Sequence, residues 1–596
     1  MNPRVRMIVP AALASLLALT ALPAAGSDSD GGGSPLSKIN HIVVIYQENR
    51  SFDSLYGGWE GVNGRGDAPS NKTLQISQAG LVYDCLLQND VNLTTPPLSR
   101  VCSGTKANGA PFDSRFTNAP FPIDDFIHPS DTTCPAPGVF APVGVAKGSG
   151  LAGGCTRDIV HRFYQEQYQL DGGKQDRYVT GSDAAGLAMG FLDTRALPIY
   201  MYLHQEDHPK YGIADNFFQA SFGGSFLNHQ WLVAAATPVW SGPDGSGAVN
   251  DGSSSDLHSV VDANGMPNNS DLYKSPLGLN SSPTGPKDGA LTASCRPPSP
   301  RPATPAGVVC GDNAVNTIQP LNQPYQPGTA LGRRLPALTT PNIGDALSAR
   351  EVDWAWYSGG WDNAAGNRTS PFYTNGPGPT CADPHAFATA TFPNCPDKLF
   401  MFHHQPFNYF ANYAPGTMAR AQHLRDEAEF VQLANSSTNR HCNLKSVSFV
   451  KPIGEQNEHP GYTSENPGSE HLVQLLQAIQ GSACKKDTMI VVTYDEFGGQ
   501  WDHVTPPGQG GAAGPHDIWG PGTRVPALVI APHLRGDFVV DRAQHDTTSI
   551  LATIEHRFGL APLGARDAAV NDLSSVFRAR ASGDDGSGDG GDGSGD

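Results

Sequence analysis

The sequence predicts an α/β fold with a sheet buried on both faces, and three observations carry that prediction. Short continuous apolar runs, Ile42 to Ile45, Leu399 to Phe402, Val447 to Val450, Met489 to Val492 and Ala527 to Ile530, have the pattern of two-sided, largely parallel strands. Helical spacing appears between and after them. Leu472, Leu475, Leu476 and Ile479 share one helix face; Ile550, Leu551, Ile554 and Phe558 share another, with Gly559 placed as its C-terminal cap. Alternation of strands and helices is how a layered α/β sheet is written.

The remaining segments follow from composition. Arg4 and Arg6 precede an apolar run from Met7 to Leu22 and then Pro23-Ala24-Ala25-Gly26, which reads as a signal peptide over 1–25. A membrane anchor is the alternative, but the run is short for a span. No later stretch of the sequence is long and apolar enough to cross a bilayer, so a protein exported to the periplasm or beyond, with no stable membrane anchor, is expected. The stretch 241–342 is rich in Pro, Gly, Ser and Asn and is expected to be a long loop insertion. The span 38–580 is placed as one large α/β domain. The tail, 582–596, is Gly, Ser and Asp alone and is expected to be disordered.

With 38% hydrophobic and 16% charged residues in 596, the chain can bury a large core. Its net charge of -18 argues against nucleic acid as a partner, because a polyanion would be repelled. The ten cysteines fall into neighbouring couples, 85/102, 134/155, 295/310, 381/395 and 442/484, and an even count in an exported chain suggests disulfides. Local pairing is one connectivity among many. With no CxxC anywhere, zinc ribbons and thioredoxin-like redox motifs are disfavoured.

Chemistry-bearing residues collect at the ends of the expected strands. The first run leads into Glu48-Asn49-Arg50-Ser51-Phe52-Asp53, and the run after Met489 leads into Asp495-Glu496-Phe497-Gly498-Gly499-Gln500-Trp501-Asp502-His503. Ligands of open α/β sheets bind where strands end, so the two clusters can meet. Three acids and an Asn there would suit a divalent metal ion of unknown identity. Singly, each cluster reads equally as helix caps or loop solvation. A third segment, Ser221-Phe222-Gly223-Gly224-Ser225-Phe226-Leu227-Asn228-His229, puts a serine after a glycine turn at a helix start. Such a serine is either a nucleophile facing an anion or a plain N-cap. The histidines His161, His403, His404 and His459 sit in polar or strand-terminal settings. They could bind phosphoryl oxygens and move protons, most readily in mild acid where imidazoles are partly charged, or they could be structural. His503 stands as a further donor or as a partner behind Asp495.

At these residues the chain resembles the bacterial phosphoesterase family, which unites phospholipases C with secreted acid phosphatases. Glu48 to Asp53 and Asp495 to His503 are similar to its two signature ends. The resemblance implies an alkaline-phosphatase-like fold: a central mixed sheet sandwiched between helices, with long loop insertions. Gly223 to His229 is closer to the acid phosphatase branch, since the phospholipases typically carry threonine at the position of Ser225. Carried over, the resemblance makes Glu48, Asn49, Asp495 and Glu496 metal ligands and Ser225 both metal-bound and nucleophilic. It gives His161, His403, His404 and His459 to phosphate binding and proton transfer.

The expected activity is hydrolysis of phosphoric esters through a phosphoserine at Ser225, with Asn49, His161 and His404 holding the substrate. The preferred reading is a metal-dependent acid phosphatase acting on a phosphomonoester. The alternative, a phospholipase C acting on phospholipid, predicts apolar surface near the site. Trp354, Trp356 and Trp361 are candidates for it, with plain core as their other use. An idle exported binding protein on the same scaffold is the reading from another class.

Overall fold

Four of the five apolar runs are strands of one eight-stranded sheet. Its members are β1 (His41–Gln47), β2 (Tyr211–Ala214), β3 (Trp354–Ser358), β4 (Leu424–Asp426), β5 (Val447–Lys451), β6 (Thr488–Tyr494), β7 (Ala527–Ile530) and β8 (Phe538–Asp541). They lie in the order β4-β3-β5-β1-β6-β7-β2-β8. All run the same way except β7, which is antiparallel to both β6 and β2. The sheet is therefore mixed, as expected. The structure, a computed structural model, describes residues 34–77, 80–86, 100–105, 109, 111–125, 158–182, 184–239 and 313–579. The expected leader at 1–25, the tail at 582–596 and the part of the loop at 241–312 lie outside the described residues.

Every side chain of β6, β3 and β5 is buried, so both faces of the sheet centre are covered. Helix α1 (Ser225–Ala234) packs against α3 (Thr548–Phe558), while α2 (Glu465–Gln480) packs against Pro198–Leu203 and Glu427–Ser436. The helical spacing read from the sequence is met in α2, which buries Leu472, Leu475, Leu476 and Ile479. It is met again in α3, where Gly559 takes the left-handed conformation at φ 65° as the cap.

The run Leu399 to Phe402 is not a strand. Its side chains are buried, but its backbone is spent on turns: Leu399 N donates to Asp397 Oδ1 at 2.7 Å and His404 N to Met401 O at 3.0 Å, and Phe402–His404 is a 3-10 turn. An apolar run reports burial; only the ladder partners make it a strand. Part of the expected loop is also ordered. Gln319–Pro320 pairs with Arg334–Leu335, and Tyr409 Oη donates to Ile318 O at 2.5 Å, so 313–342 buttresses the segment that follows His404. Trp354, Trp356 and Trp361 are at most 1% exposed and belong to the core, so they supply no apolar surface.

Three expected cysteine couples are disulfides: Cys85–Cys102, Cys381–Cys395 and Cys442–Cys484. The couples 134/155 and 295/310 lie outside the described residues. Among the described residues no helix is long and apolar enough to cross a membrane. The disulfides are compatible with export.

Candidate active site

Register brings the two signature clusters together. In the parallel pair β1·β6, Gln47 faces Tyr494, so the next residues, Glu48 and Asp495, leave the sheet side by side. Asn49 N then donates to Asp495 Oδ1 at 3.2 Å across 446 positions of sequence. Asn49 holds a φ of 54°, in the left-handed region that asparagine tolerates better than most residues. Gly498 makes room for it: a Cβ there would lie 2.5 Å from Asn49 O, and its own φ is 64°.

Ser225 arrives from the other side. Gly224 is the N-cap of α1 and Ser225 its first residue, so the serine is not the cap itself. Gly223 turns at φ 91°, where a Cβ would meet Phe163 N at 2.6 Å. The turn is held by a buried carboxylate: Gly223 N donates to Glu166 Oε2 at 2.6 Å and Thr523 N to Glu166 Oε1 at 2.6 Å. Burial lifts Glu166 to about 7 despite these donors. Gln219 ties the same turn to the second signature, accepting from Phe497 N at 2.9 Å and donating to Ser221 O at 2.7 Å. The Ser225 hydroxyl then donates to Glu48 Oε2 at 3.2 Å.

The histidines surround this point. His404 Nε2 lies 3.3 Å from Glu48 Oε1. His161 Nε2 lies 3.3 Å from Glu496 Oε1, while its Nδ1 donates to Ile159 O at 2.6 Å. His459 Nδ1 donates to Pro460 O at 2.7 Å, which leaves Nε2 to accept from Asn49 Nδ2 at 2.8 Å. His403 stacks edge-on against His404, with ring centroids 4.4 Å apart. The nine residues to which the resemblance gives metal, nucleophile or phosphate roles thus converge at the carboxyl end of the sheet.

Two features differ from expectation. The imidazoles of His403, His404 and His459 are not poised to charge in mild acid. Burial, then like charges that include Lys451, holds His404 and His459 well below the ordinary range and His403 at about 3. Nor does His503 stand behind Asp495. Its Nδ1 donates to Asp53 Oδ2 at 2.6 Å, in a separate buried network where Arg524 Nη2 meets Asp53 Oδ1 at 3.1 Å and Asp502 Oδ2 at 3.2 Å. Asp53, Asp502 and His503 could be grouped as metal ligands, but the Arg524 guanidinium already supplies the cation.

The donor set at Glu48 does fit a divalent cation. Asn49 Oδ1, Asp495 Oδ2 and Glu496 Oε1 are buried and make no hydrogen bond among the described residues. Glu48, Asp495 and Glu496 are all held above the usual carboxylate range, first by burial. Repulsion by Asp495 adds to this for Glu48 and Glu496, while for Asp495 the Lys451 ammonium and hydrogen bonds offset burial in part. Converging oxygens that repel one another are stable partners for a positive ion.

Three further residues act here without having been singled out: Lys451, Glu166 and His229. Lys451 closes a mostly apolar interior strand at the carboxyl end of the sheet, and His229 sits one turn after Ser225 in a helix buried all round, with Nδ1 donating to Ser225 O at 2.7 Å. For Lys451 the available signal was a charge closing a mostly apolar strand, whereas His229, between Asn228 and Gln230, stood out from its helix by no such pattern. Glu166 had none.

Relatives named phospholipase C match part of the chain. Phospholipase C B of Mycobacterium tuberculosis is 36% identical over 165 residues, 23% of this chain and 30% of its own. Phospholipase C A of the same organism is 34% identical over 157 residues, covering 22% and 29%. Non-hemolytic phospholipase C of Pseudomonas aeruginosa is 28% identical over 162 residues, covering 22% and 23%. The chain thus spans less than a third of the length of these relatives. A crystal structure described as Ps i-CgsB covers 40% of this chain and 57% of its own at 10% identity, with a TM-score of 0.21, too slight a likeness to bear on the fold. The family description "Phosphoesterase family" matches residues 39–561, which takes in both signatures and the Ser225 turn. On that match, the chain belongs to the Phosphoesterase family.

Proposed function

We propose that the protein is an exported, metal-dependent phosphoric ester hydrolase that works through a phosphoserine at Ser225, on an alkaline-phosphatase-like domain spanning 38–580. One observation carries the reading: the Ser225 hydroxyl meets Glu48 where three buried oxygens, of Asn49, Asp495 and Glu496, make no hydrogen bond among the described residues. Glu48, Asn49, Asp495, Glu496 and Ser225 would hold the ion. When bound, it supplies a lowered hydroxyl pKa and charge neutralisation for phosphoryl oxygens.

The protein's own residues supply the rest. The N-terminus of α1 presents backbone N–H groups to an anion beside Ser225. Asn49 is oriented by His459, and His404 stands over Glu48; both line the place for equatorial oxygens. Ser225 Oγ bonds to phosphorus as the bond to the leaving oxygen breaks, its proton passing to the Glu48 carboxylate that accepts its hydrogen bond and returning to Oγ when Ser225 is displaced. Of the four imidazoles only His161, with 14% of its side chain exposed, and His403 are not fully buried, and burial holds His403 at about 3, so His161 is the imidazole best placed to protonate that leaving oxygen from the crevice. Deprotonated His161 then takes a proton from water as the water's oxygen displaces Ser225 from phosphorus.

For substrate, the serine turn supports a phosphomonoester and hence an acid phosphatase. The relatives' printed names favour the second reading, a phospholipase C acting on phospholipid. Hydrolysis of an aryl phosphate and of phosphatidylcholine by the purified mature protein, with and without chelator, decides. Activity on the monoester establishes the first reading and activity on lipid the second. Silence on both with metal supplied contradicts the hydrolase reading.

A further inference from the structure

Lys451 is 1% exposed, a position lysine occupies only when its charge is matched. Its ammonium points at three oxygens at the end of β1: Tyr46 O at 2.9 Å, Gln47 O at 3.4 Å and Glu48 Oε1. Its three N–H bonds are therefore all used. The same Glu48 oxygen also faces two imidazole nitrogens, His404 Nε2 at 3.3 Å and His229 Nε2 at 4.0 Å. Both nitrogens are buried and make no hydrogen bond among the described residues. The two rings stack in parallel, with centroids 4.8 Å apart.

A carboxylate oxygen and two imidazole nitrogens, all within 4.8 Å of one another, are a donor set for a borderline cation such as zinc or manganese. Phosphoesterases with two ions commonly hold them about 3.5–4 Å apart, sharing a ligand. Here the shared ligand would be Glu48, with Oε2 on the Ser225 side and Oε1 on the histidine side. But Oε1 already carries the ammonium, and a second divalent ion beside it would face a like charge at contact range.

We propose that Lys451 is a built-in second cation: its ammonium occupies the role of a second metal ion, keeps the Glu48–His229–His404 group empty of metal, and fixes Glu48 with Oε2 toward Ser225. This rests on the metal reading above and adds to it the number of ions and the residue that sets that number. Lys451 is a positioning residue, acting through Glu48.

Metal content after equilibration with Mn2+ and with Zn2+, read by plasma mass spectrometry and calorimetry, tests it on the intact protein. The wild type should hold one ion per chain. Lys451→Met, isosteric and uncharged, should take up two, the second disappearing when His404→Gln is added, while the first binds about tenfold more weakly because Glu48 has lost its brace. Single His404→Gln should leave the one-ion stoichiometry unchanged, which keeps the test alive if Lys451→Met does not fold. Two ions in the wild type, loss of an ion in single His404→Gln, or a folded Lys451→Met with unaltered stoichiometry each overturn the proposal. A wild type holding no ion overturns the metal reading itself, and this inference with it.

Discussion

Ser225 Oγ and Glu48 Oε2 lie 3.2 Å apart, joining the first turn of a buried helix to the end of the central strand. That contact gives the serine hydroxyl a buried carboxylate as its acceptor. Ser225→Ala should therefore lose roughly 10³-fold or more in kcat/KM, with far-UV circular dichroism unchanged, since alanine keeps the helix-forming backbone of α1. Steady-state kinetics with an aryl phosphate checks this.

Asp495 faces Glu48 and Glu496 in a buried cluster of like charge. Asp495→Asn should weaken metal binding by about 100-fold while raising the melting temperature of the chelator-treated protein by about 1–4 °C, because one repelling charge is gone. Calorimetric melts with and without metal read both effects. A variant less stable than wild type in the metal-free state would contradict the charge argument.

Apart from His503, Arg524 is the sole cation paired with the Asp53 and Asp502 carboxylates among the described residues, and its ring contact is Phe52 at 4.2 Å. Arg524→Met leaves two carboxylates with one imidazole between them. The expected loss is about 3–5 kcal/mol of stability, measured by urea titration, since breaking a buried pair strands its partner.

Glu555 lies beside Asp567, away from the Ser225 cluster. Burial first, then the Asp567 carboxylate, lifts it from 4.5 to about 8. The folded state thus keeps a proton that the unfolded chain has already released. Stability from this group is present below the lower value and is lost as pH rises through the upper one. Glu555→Gln should match the wild-type melting temperature at about pH 5 and exceed it by about 1–3 °C at about pH 8.5. An equal gain at both pH values would show that ionisation is not the cause.

The sequence was most legible where one physical signal ran through an element. The continuous apolar strands β1, β5, β6 and β7, and the one-sided faces of α2 and α3, read directly. Strands β2, β3, β4 and β8 did not, because Tyr211-Gly212-Ile213-Ala214 or Leu424-Arg425-Asp426 is too short and mixed to carry a period of its own. Leu399 to Phe402 misled for the reverse reason: it is as apolar as a strand but is buried by packing around a histidine turn. At the site, residues that end strands or start helices announced themselves. Glu166, inside a helix, did not, and Lys451, though it ends β5, gave no hint of its role, since a buried charge shows its purpose only through the partner that matches it, and Gly223 and Glu48 lie tens or hundreds of positions away.

The phosphoserine is the account's central claim, and trapping it is the direct test. Metal-loaded protein is mixed with an aryl phosphate, quenched in acid within the first turnover, digested, and its peptides are sequenced by mass spectrometry. The account predicts phosphate on the peptide containing Ser225, formed as fast as the burst of released phenol and absent from Ser225→Ala. Rapid turnover with no phosphopeptide at any quench time, or with phosphate on another residue, would contradict it.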